Sequence, residues 1–248
     1  MRIALISDVH ATLVALDAVL ADIDRRGVEQ IVCLGDVPMF GPQPHEAMVR
    51  LRELGCPCVM GNHDDELLDL ERLHENADPS PWLKWIDWCA GQLSEADLTY
   101  LRSFQPLIEI SLGPGANLLC YHGSPRSNED FIFATTPESD LEEMLHGHTA
   151  TVMVGGHTHI PMLRRFRDLM VVTVGAVGWP LERMPFTGHP RFLPWAEYAI
   201  VGYMDGLLDI DLCRVPFDVG ASNQVAFDRD MPGVAEWVEG WVEPCQLS

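Results

Sequence analysis

Five short polar clusters hold the residues best suited to chemistry. They read SDVH (Asp8, His10), GD (Asp36), GNHD (Asn62, His63, Asp64), YHGS (His122) and GGHTH (His157, His159). Apart from His63 and Asp64, they offer two carboxylates, four imidazoles and one amide oxygen as possible metal ligands. That is too many for one tetrahedral ion, but it suits two ions such as manganese, iron or zinc that share a bridging carboxylate.

A pair of such ions predicts hydrolysis at phosphorus. Two metals roughly 3.5–4 Å apart clamp the attacking and leaving oxygens of an in-line displacement, and they lower the pKa of bound water. The spacing of His157 and His159 fits a pair. In an extended segment their Cα atoms would lie roughly 6.5–7 Å apart on one face. We therefore expect each of these histidines to bind a different ion.

Predicted strands place the clusters at one edge of a sheet. Each cluster directly follows a short apolar, β-prone segment; these segments are RIALIS, IVCLG, CPCVMG, LLCYHG and TVMVGG. Helical spacing of leucines over 12–26, and a helix from Pro44 to Gly55, complete a β-α-β-α-β start typical of parallel sheets. In such sheets, sites form at the carboxyl ends of the strands, so the five clusters should converge.

The rest of the chain predicts more helices and two hairpins in one domain. Residues 67–101 are helical and aromatic, with Trp82, Trp85 and Trp88 as either core residues or a base-stacking lid. Hairpins are expected around GPGAN and around the pair Asp205 and Gly206, a further strand at LMVVTVG, and helices over 139–145 and 232–242. No composition shift marks a linker. We expect a single domain over 1–248, with a helical insert at about 66–104 and a C-terminal extension at about 216–248.

Composition narrows the possible partners and the compartment. The 248 residues carry a formal charge of −21, which opposes binding to long nucleic acid or to anionic membranes. A small phosphoester held by metal ions remains compatible with that charge. Seven scattered cysteines predict reduced thiols, and the chain shows neither a signal peptide nor an apolar run of about 18 residues. These features predict a cytoplasmic protein, while its oligomeric state stays open.

The ordered series D-x-H, G-D, G-N-H-D, H-G and G-H-T-H resembles the calcineurin-like metallophosphoesterase family, in particular its compact bacterial and archaeal branch. The resemblance implies an α/β fold, a β-sandwich flanked by helices in four α/β/β/α layers. It implies roles for eight residues: Asp8, His10 and His159 on the first metal, Asn62, His122 and His157 on the second, Asp36 bridging, and His63 as the catalytic histidine. Manganese is the preferred metal, with iron or zinc as alternatives.

Three departures from the family pattern concern the substrate. Met39 stands where the phosphatase branch has an aspartate that supports the catalytic histidine. Phe40 and Met60 replace two phosphate-binding arginines, so Arg126 in HGSPR is the remaining candidate to bind substrate phosphate. A surface salt bridge is the rival interpretation of Arg126. These changes argue against a protein phosphatase.

The expected activity is hydrolysis of a small phosphodiester, nucleotide or dinucleoside polyphosphate by metal-bound hydroxide. His63 would protonate the leaving oxygen or contact the substrate phosphate, since imidazole titrates near neutrality. Asp64 is expected at a helix N-terminus, with a catalytic role as the alternative. Two other functions stay open: a non-catalytic interaction scaffold of the same fold, and a nuclease of the same superfamily.

Overall fold

Two β-sheets pack against each other in the computed structural model, which describes residues 1–76, 81–184 and 190–242. The strands are β1 (Arg2–Ile6), β2 (Gln30–Cys33), β3 (Ile108–Gly113), β4 (Ala116–Cys120), β5 (Val152–Gly155), β6 (Met162–Phe166), β7 (Leu169–Thr173), β8 (Trp195–Met204) and β9 (Leu207–Pro216). The first sheet has the order β2-β1-β8-β9, and the second has the order β3-β4-β5-β7-β6. Both sheets are mixed. In the first, β1 pairs in parallel with β2 and antiparallel with β8; in the second, β4, β5 and β7 run parallel between the antiparallel strands β3 and β6.

Helices cover the outer face of each sheet. They are α1 (Leu13–Ile23), α2 (Pro44–Leu54), α3 (Asn62–Leu68), α4 (Leu70–Asn76), α5 (Pro81–Gln92), α6 (Glu95–Leu101), α7 (Glu138–Met144), α8 (Val219–Asp228) and α9 (Val234–Gly240). No helix in the described ranges has the length and hydropathy needed to cross a membrane.

Three apolar clusters hold the layers together. One lies between the sheets, where Leu5 of β1 and Val154 of β5 are fully buried. A second joins the outer face of the first sheet to helices including α1, α2 and α9, and a third joins the second sheet to α7. Burial of these faces supplies the main favourable term in folding. The predicted β-sandwich flanked by helices is therefore confirmed.

Strand register brings the ends of neighbouring strands together. Ile6 of β1 pairs with Cys33 of β2, and Cys120 of β4 pairs with Val154 of β5, both in parallel. The polar clusters follow each of these pairs by two or three residues. Parallel pairing therefore delivers two ligand-bearing loops from each sheet to the same end of the sandwich.

Residues that the sequence predicts to begin or end helices, or to form a turn, do so in the structure. Pro44 opens α2, and Gly55 ends it with a φ of 64°. Ser94 and Asp97 form a capping box at the start of α6. The β8–β9 hairpin turns at the pair Asp205 and Gly206, both with positive φ, as a tight hairpin turn requires.

The third predicted strand is wrong. CPCVMG forms only isolated bridges, from Cys58 to Cys33 and from Val59 to Gln105. Pro57 has no N–H to donate, and the chain turns into α3 directly after Gly61, so the segment is too short for a ladder. Strand β6 and helix α8 were not predicted. Residues 77–80 of the predicted insert and 243–248 of the predicted extension lie outside the described residues.

Candidate metal centre

Six of the seven predicted ligands form two compact groups. Within each group the possible ligand atoms lie within 4.8 Å of one another. Group one consists of Asp8, His10 and His159, and group two consists of Asp36, His122 and His157. The seventh predicted ligand, Asn62, joins group two, since its Oδ1 lies 3.1 Å from His122 Nε2. The structure therefore brings all the predicted metal ligands to one place.

Backbone carbonyls orient three of the four imidazoles. In each case Nδ1 faces a carbonyl oxygen, which can only accept a hydrogen bond, so Nδ1 carries the proton. The contacts are His10 to Met39 at 3.1 Å, His122 to Leu34 at 2.7 Å and His159 to Trp179 at 2.8 Å. Each ring thus turns Nε2 toward the centre. This is the arrangement usual for histidines that bind a metal.

Three buried atoms at the centre, Asp8 Oδ1, Asp36 Oδ2 and His157 Nε2, make no hydrogen bond of good geometry among the described residues. The two carboxylate oxygens face histidine Nε2 atoms at 3.2 Å, those of His159 and His122. Unsatisfied buried polar atoms are rare, because each costs free energy. In addition, the Nε2 atoms of His10 and His159 lie only 3.1 Å apart. Cations between these atoms would satisfy all of them, so the residues present fit a metal centre.

The protonation states of two of the imidazoles also suit metal binding, which requires a neutral ring. Burial lowers the pKa of His10 to about 3 and that of His157 to about 4, so both rings are neutral at pH 7. Burial opposes charge on His122 as well, but the Asp36 carboxylate 3.2 Å away outweighs it and raises the pKa to about 10. A cation bound beside Asp36 would replace that proton on His122.

Five of the predicted ligands have left-handed backbone conformations. Their φ values are 54° for Asp8, 43° for His10, 58° for Asp36, 65° for His157 and 57° for His159. Such values are uncommon outside glycine and concentrate at functional sites. The extended conformation expected for the last two histidines is therefore wrong, because β5 ends at Gly155 and the chain turns at both. They nevertheless fall into different groups.

Two glycines let backbone segments approach the carboxylates. A Cβ on Gly61 would collide with Asp36 Oδ1, and a Cβ on Gly156 would collide with Ser7 and Asp8. Any side chain at these positions would force the loops apart. The glycines of the GNHD and GGHTH clusters therefore allow the two groups to form.

His63 lies beside the centre and is held by two carboxylates. Its backbone N–H donates to Asp36 Oδ1 at 3.0 Å, and its Nδ1 lies 2.7 Å from Glu66 Oε2. Burial opposes charge on the ring, but Asp36 and Glu66 outweigh it and raise the pKa of His63. The Glu66 carboxylate is therefore placed to orient the His63 ring, a position in which Met39 offers no carboxylate.

Sequence analysis missed Glu66 because it lies in the acidic run DDELLDLE, which is typical of a solvated helix face. The available signal was helical spacing: residues three apart share a face of α3. Asp64 in the same run accepts hydrogen bonds from the backbone N–H groups of Asp36, Val37 and Gly61. That satisfied carboxylate favours a structural role for Asp64.

Arg126 is engaged with acidic side chains. Its Nε lies 2.7 Å from Asp130, and its Nη1 lies 2.9 Å from Glu143. It lines a cavity of about 400 Å³ that His122 also lines. The rival interpretation, a surface salt bridge, describes its present contacts. Arg126 would have to leave both carboxylates to bind a substrate phosphate.

An apolar cavity of about 510 Å³ adjoins the centre. Its apolar residues are Phe40, Leu73, Trp82, Leu83, Ile86 and Trp179, and we call it the aromatic cavity. It is also lined by His10, His63 and His159, so it opens onto group one. Of the predicted aromatic residues, Trp85 is buried in the core, whereas Trp82 is 42% exposed and lines this cavity. The core interpretation therefore holds for Trp85, whereas Trp82 borders a cavity.

Comparison with known proteins agrees with this geometry. The profile of the calcineurin-like phosphoesterase superfamily domain matches residues 1–189. An uncharacterized protein of Methanocaldococcus jannaschii is 28% identical, with 95% of each chain covered. A metallophosphoesterase from Sphaerobacter thermophilus superposes with a TM-score of 0.74 at 26% identity, covering 96% of this chain and 98% of that chain.

A hypothetical protein from Pyrococcus horikoshii OT3 has the same fold, with a TM-score of 0.80, 18% identity, and coverage of 96% of this chain and 97% of that chain. The profile match spans well over half of the present chain. The protein therefore belongs to the calcineurin-like phosphoesterase superfamily, and it is a metal-dependent phosphoesterase.

Proposed function

We propose that the protein hydrolyses a small phosphoester with two metal ions. The single observation that carries this proposal is the pair of compact ligand groups, each of which contains a buried atom that makes no hydrogen bond of good geometry among the described residues. Group one would hold the first ion, and group two with Asn62 would hold the second. Asp36 would bridge them, because its charge acts on the pKa of His10 in group one as well as on that of His122.

The metals, when bound, would lower the pKa of water and neutralise charge that develops on the phosphoryl group. Residues of the chain would supply the proton for the leaving oxygen and orient its donor. The oxygen of a water molecule that has given one proton to solvent forms a bond to phosphorus while the bond from phosphorus to the ester oxygen breaks. His63 gives that leaving oxygen a proton, and Glu66 holds the His63 ring in the orientation required.

The substrate we propose is a small phosphodiester, nucleotide or dinucleoside polyphosphate. A net charge of −21 opposes association with long nucleic acid, whereas metal ions can hold one phosphoryl group locally. We propose manganese as the metal, since carboxylate ligands suit it, with iron or zinc, which imidazole ligands suit, as alternatives. A cytoplasmic location is part of the proposal, and the six cysteines that the structure describes are all free, as reduced thiols would be.

Metal removal tests the proposal. Protein loaded with manganese should contain about two ions per chain and should hydrolyse bis(4-nitrophenyl) phosphate, and chelation should abolish the turnover reversibly. Elemental analysis and initial rates on the same samples would check this. A panel of phosphomonoesters, phosphodiesters and dinucleoside polyphosphates would then rank the substrates. Full turnover by protein shown to be free of metal would contradict the proposal.

A further inference from the structure

Two adjoining cavities divide the candidate site. The first, of about 340 Å³, is lined by residues of both ligand groups, Asp36, His157 and His159, and we call it the phosphoryl cavity. The second is the aromatic cavity. The two share four lining residues, namely His63, Trp82, His159 and Trp179. A group that leaves the phosphoryl cavity past His63 therefore enters the aromatic cavity.

Three aromatic rings form walls of the aromatic cavity. The centroid of Phe40 lies 5.6 Å from that of Trp82 and 5.4 Å from that of Trp179, and the two tryptophan centroids lie 6.0 Å apart. Phe40 and Trp82 meet edge to face, at 89°. Rings set at different angles around a space offer both faces and edges to a further ring, which are the preferred aromatic contacts.

Charge restricts what this cavity accepts. Among the described residues that line the two cavities there is no lysine or arginine, and the carboxylate of Glu66 lies at the edge of the aromatic cavity beside His63. The His63 ring is already paired with the Glu66 carboxylate, so a second phosphate placed among these residues would lack a compensating charge, and an unpaired charge against apolar side chains is costly. The cavity therefore favours an uncharged group over the polyphosphate chain of a dinucleoside polyphosphate.

We propose that the aromatic cavity binds a flat, uncharged aromatic group carried on the leaving oxygen of the substrate. The preferred substrate would then be an aryl-bearing or nucleobase-bearing ester with a single phosphoryl group. This inference rests on the proposed function, because it places the leaving oxygen beside His63. It narrows that function by selecting an aromatic phosphoester over a polyphosphate.

Inhibition by simple phosphates tests the inference. With manganese-loaded protein hydrolysing bis(4-nitrophenyl) phosphate, 1-naphthyl phosphate should inhibit about tenfold more tightly than methyl phosphate, a gain of about 1.4 kcal/mol. Hexyl phosphate should show a smaller gain. Trp82→Ala should remove the advantage of the naphthyl group but leave inhibition by inorganic phosphate within about twofold, and Trp82→Phe should restore part of that advantage.

Trp88→Phe is the matched control, because Trp88 lies on the same helix but does not line the aromatic cavity. It should keep the full advantage of the naphthyl group. Equal inhibition by naphthyl, hexyl and methyl phosphates in an active enzyme would overturn this inference alone. So would a Trp82→Ala variant that weakens every phosphate equally. A manganese-loaded protein with no turnover would instead overturn the proposed function, and this inference with it.

Discussion

Replacing Asp36 by asparagine should lower kcat for bis(4-nitrophenyl) phosphate by at least about a thousandfold, the loss expected when several kcal/mol of metal stabilisation disappear. The Asp36 carboxylate is 1% exposed, and its Oδ2 faces His122 Nε2 at 3.2 Å without a hydrogen bond of good geometry. An amide of the same shape has no charge with which to hold two cations together. Initial rates and metal content, measured on the same manganese-loaded sample, would check both consequences.

Asp17→Asn is the matched control for this substitution. Asp17 is half exposed, and among the described residues its ion-pair partner is Arg50, on the surface of α1 and α2, so its loss should change neither rate nor metal content. Asp36→Asn should keep the circular dichroism of the parent protein. If that folded variant turned over substrate at the parent rate, Asp36 would not be a bridging ligand.

Replacing His63 by alanine should lower kcat about a thousandfold for a phosphodiester with a poor leaving group, because general acid catalysis is lost. The loss should be much smaller for 2,4-dinitrophenyl esters, whose leaving oxygen needs no proton. Glu66→Gln should lower the rates by a smaller factor, since the amide can still position the His63 ring but removes one of the two carboxylate charges that raise its pKa. Rates plotted against leaving-group basicity would separate these effects.

His74→Ala provides the comparison for His63. His74 is nearly half exposed and pairs with Asp87 on the surface, so the variant should keep the parent rate for every substrate. A loss in His63→Ala that is equal for good and poor leaving groups would contradict proton donation. It would indicate instead that His63 contacts the substrate phosphate, the other role open to it.

The sequence predicted the fold wherever a local pattern determined the element. Pro44 begins α2 and Gly55 ends it, and the pair Asp205 and Gly206 forms the turn of the last hairpin, because these residues have strong conformational preferences. Strand β6 was not predicted, because Arg164 and Arg165 interrupt the alternation of apolar and polar residues that marks a strand. Its assignment depends on pairing with β7, which is a tertiary contact.

For the candidate site, the sequence predicted the identity of the residues but not their conformations. Ligand types and their order along the chain were sufficient to predict which residues meet. Their backbone conformations were not, because the left-handed φ values of His157 and His159 depend on the surrounding loops rather than on the GGHTH sequence alone. The pairing of His63 with Glu66 and the contact of Trp82 with Phe40 at the aromatic cavity also required the packed helices α3 and α5.

The most direct test of a two-metal centre is an anomalous difference map, recorded at the manganese absorption edge from crystals of the manganese-loaded protein. The account predicts two peaks roughly 3.5–4 Å apart. One should contact Asp8, His10 and His159, the other should contact Asn62, His122 and His157, and both should contact Asp36. A single peak, or two peaks with His157 and His159 bound to the same ion, would contradict it.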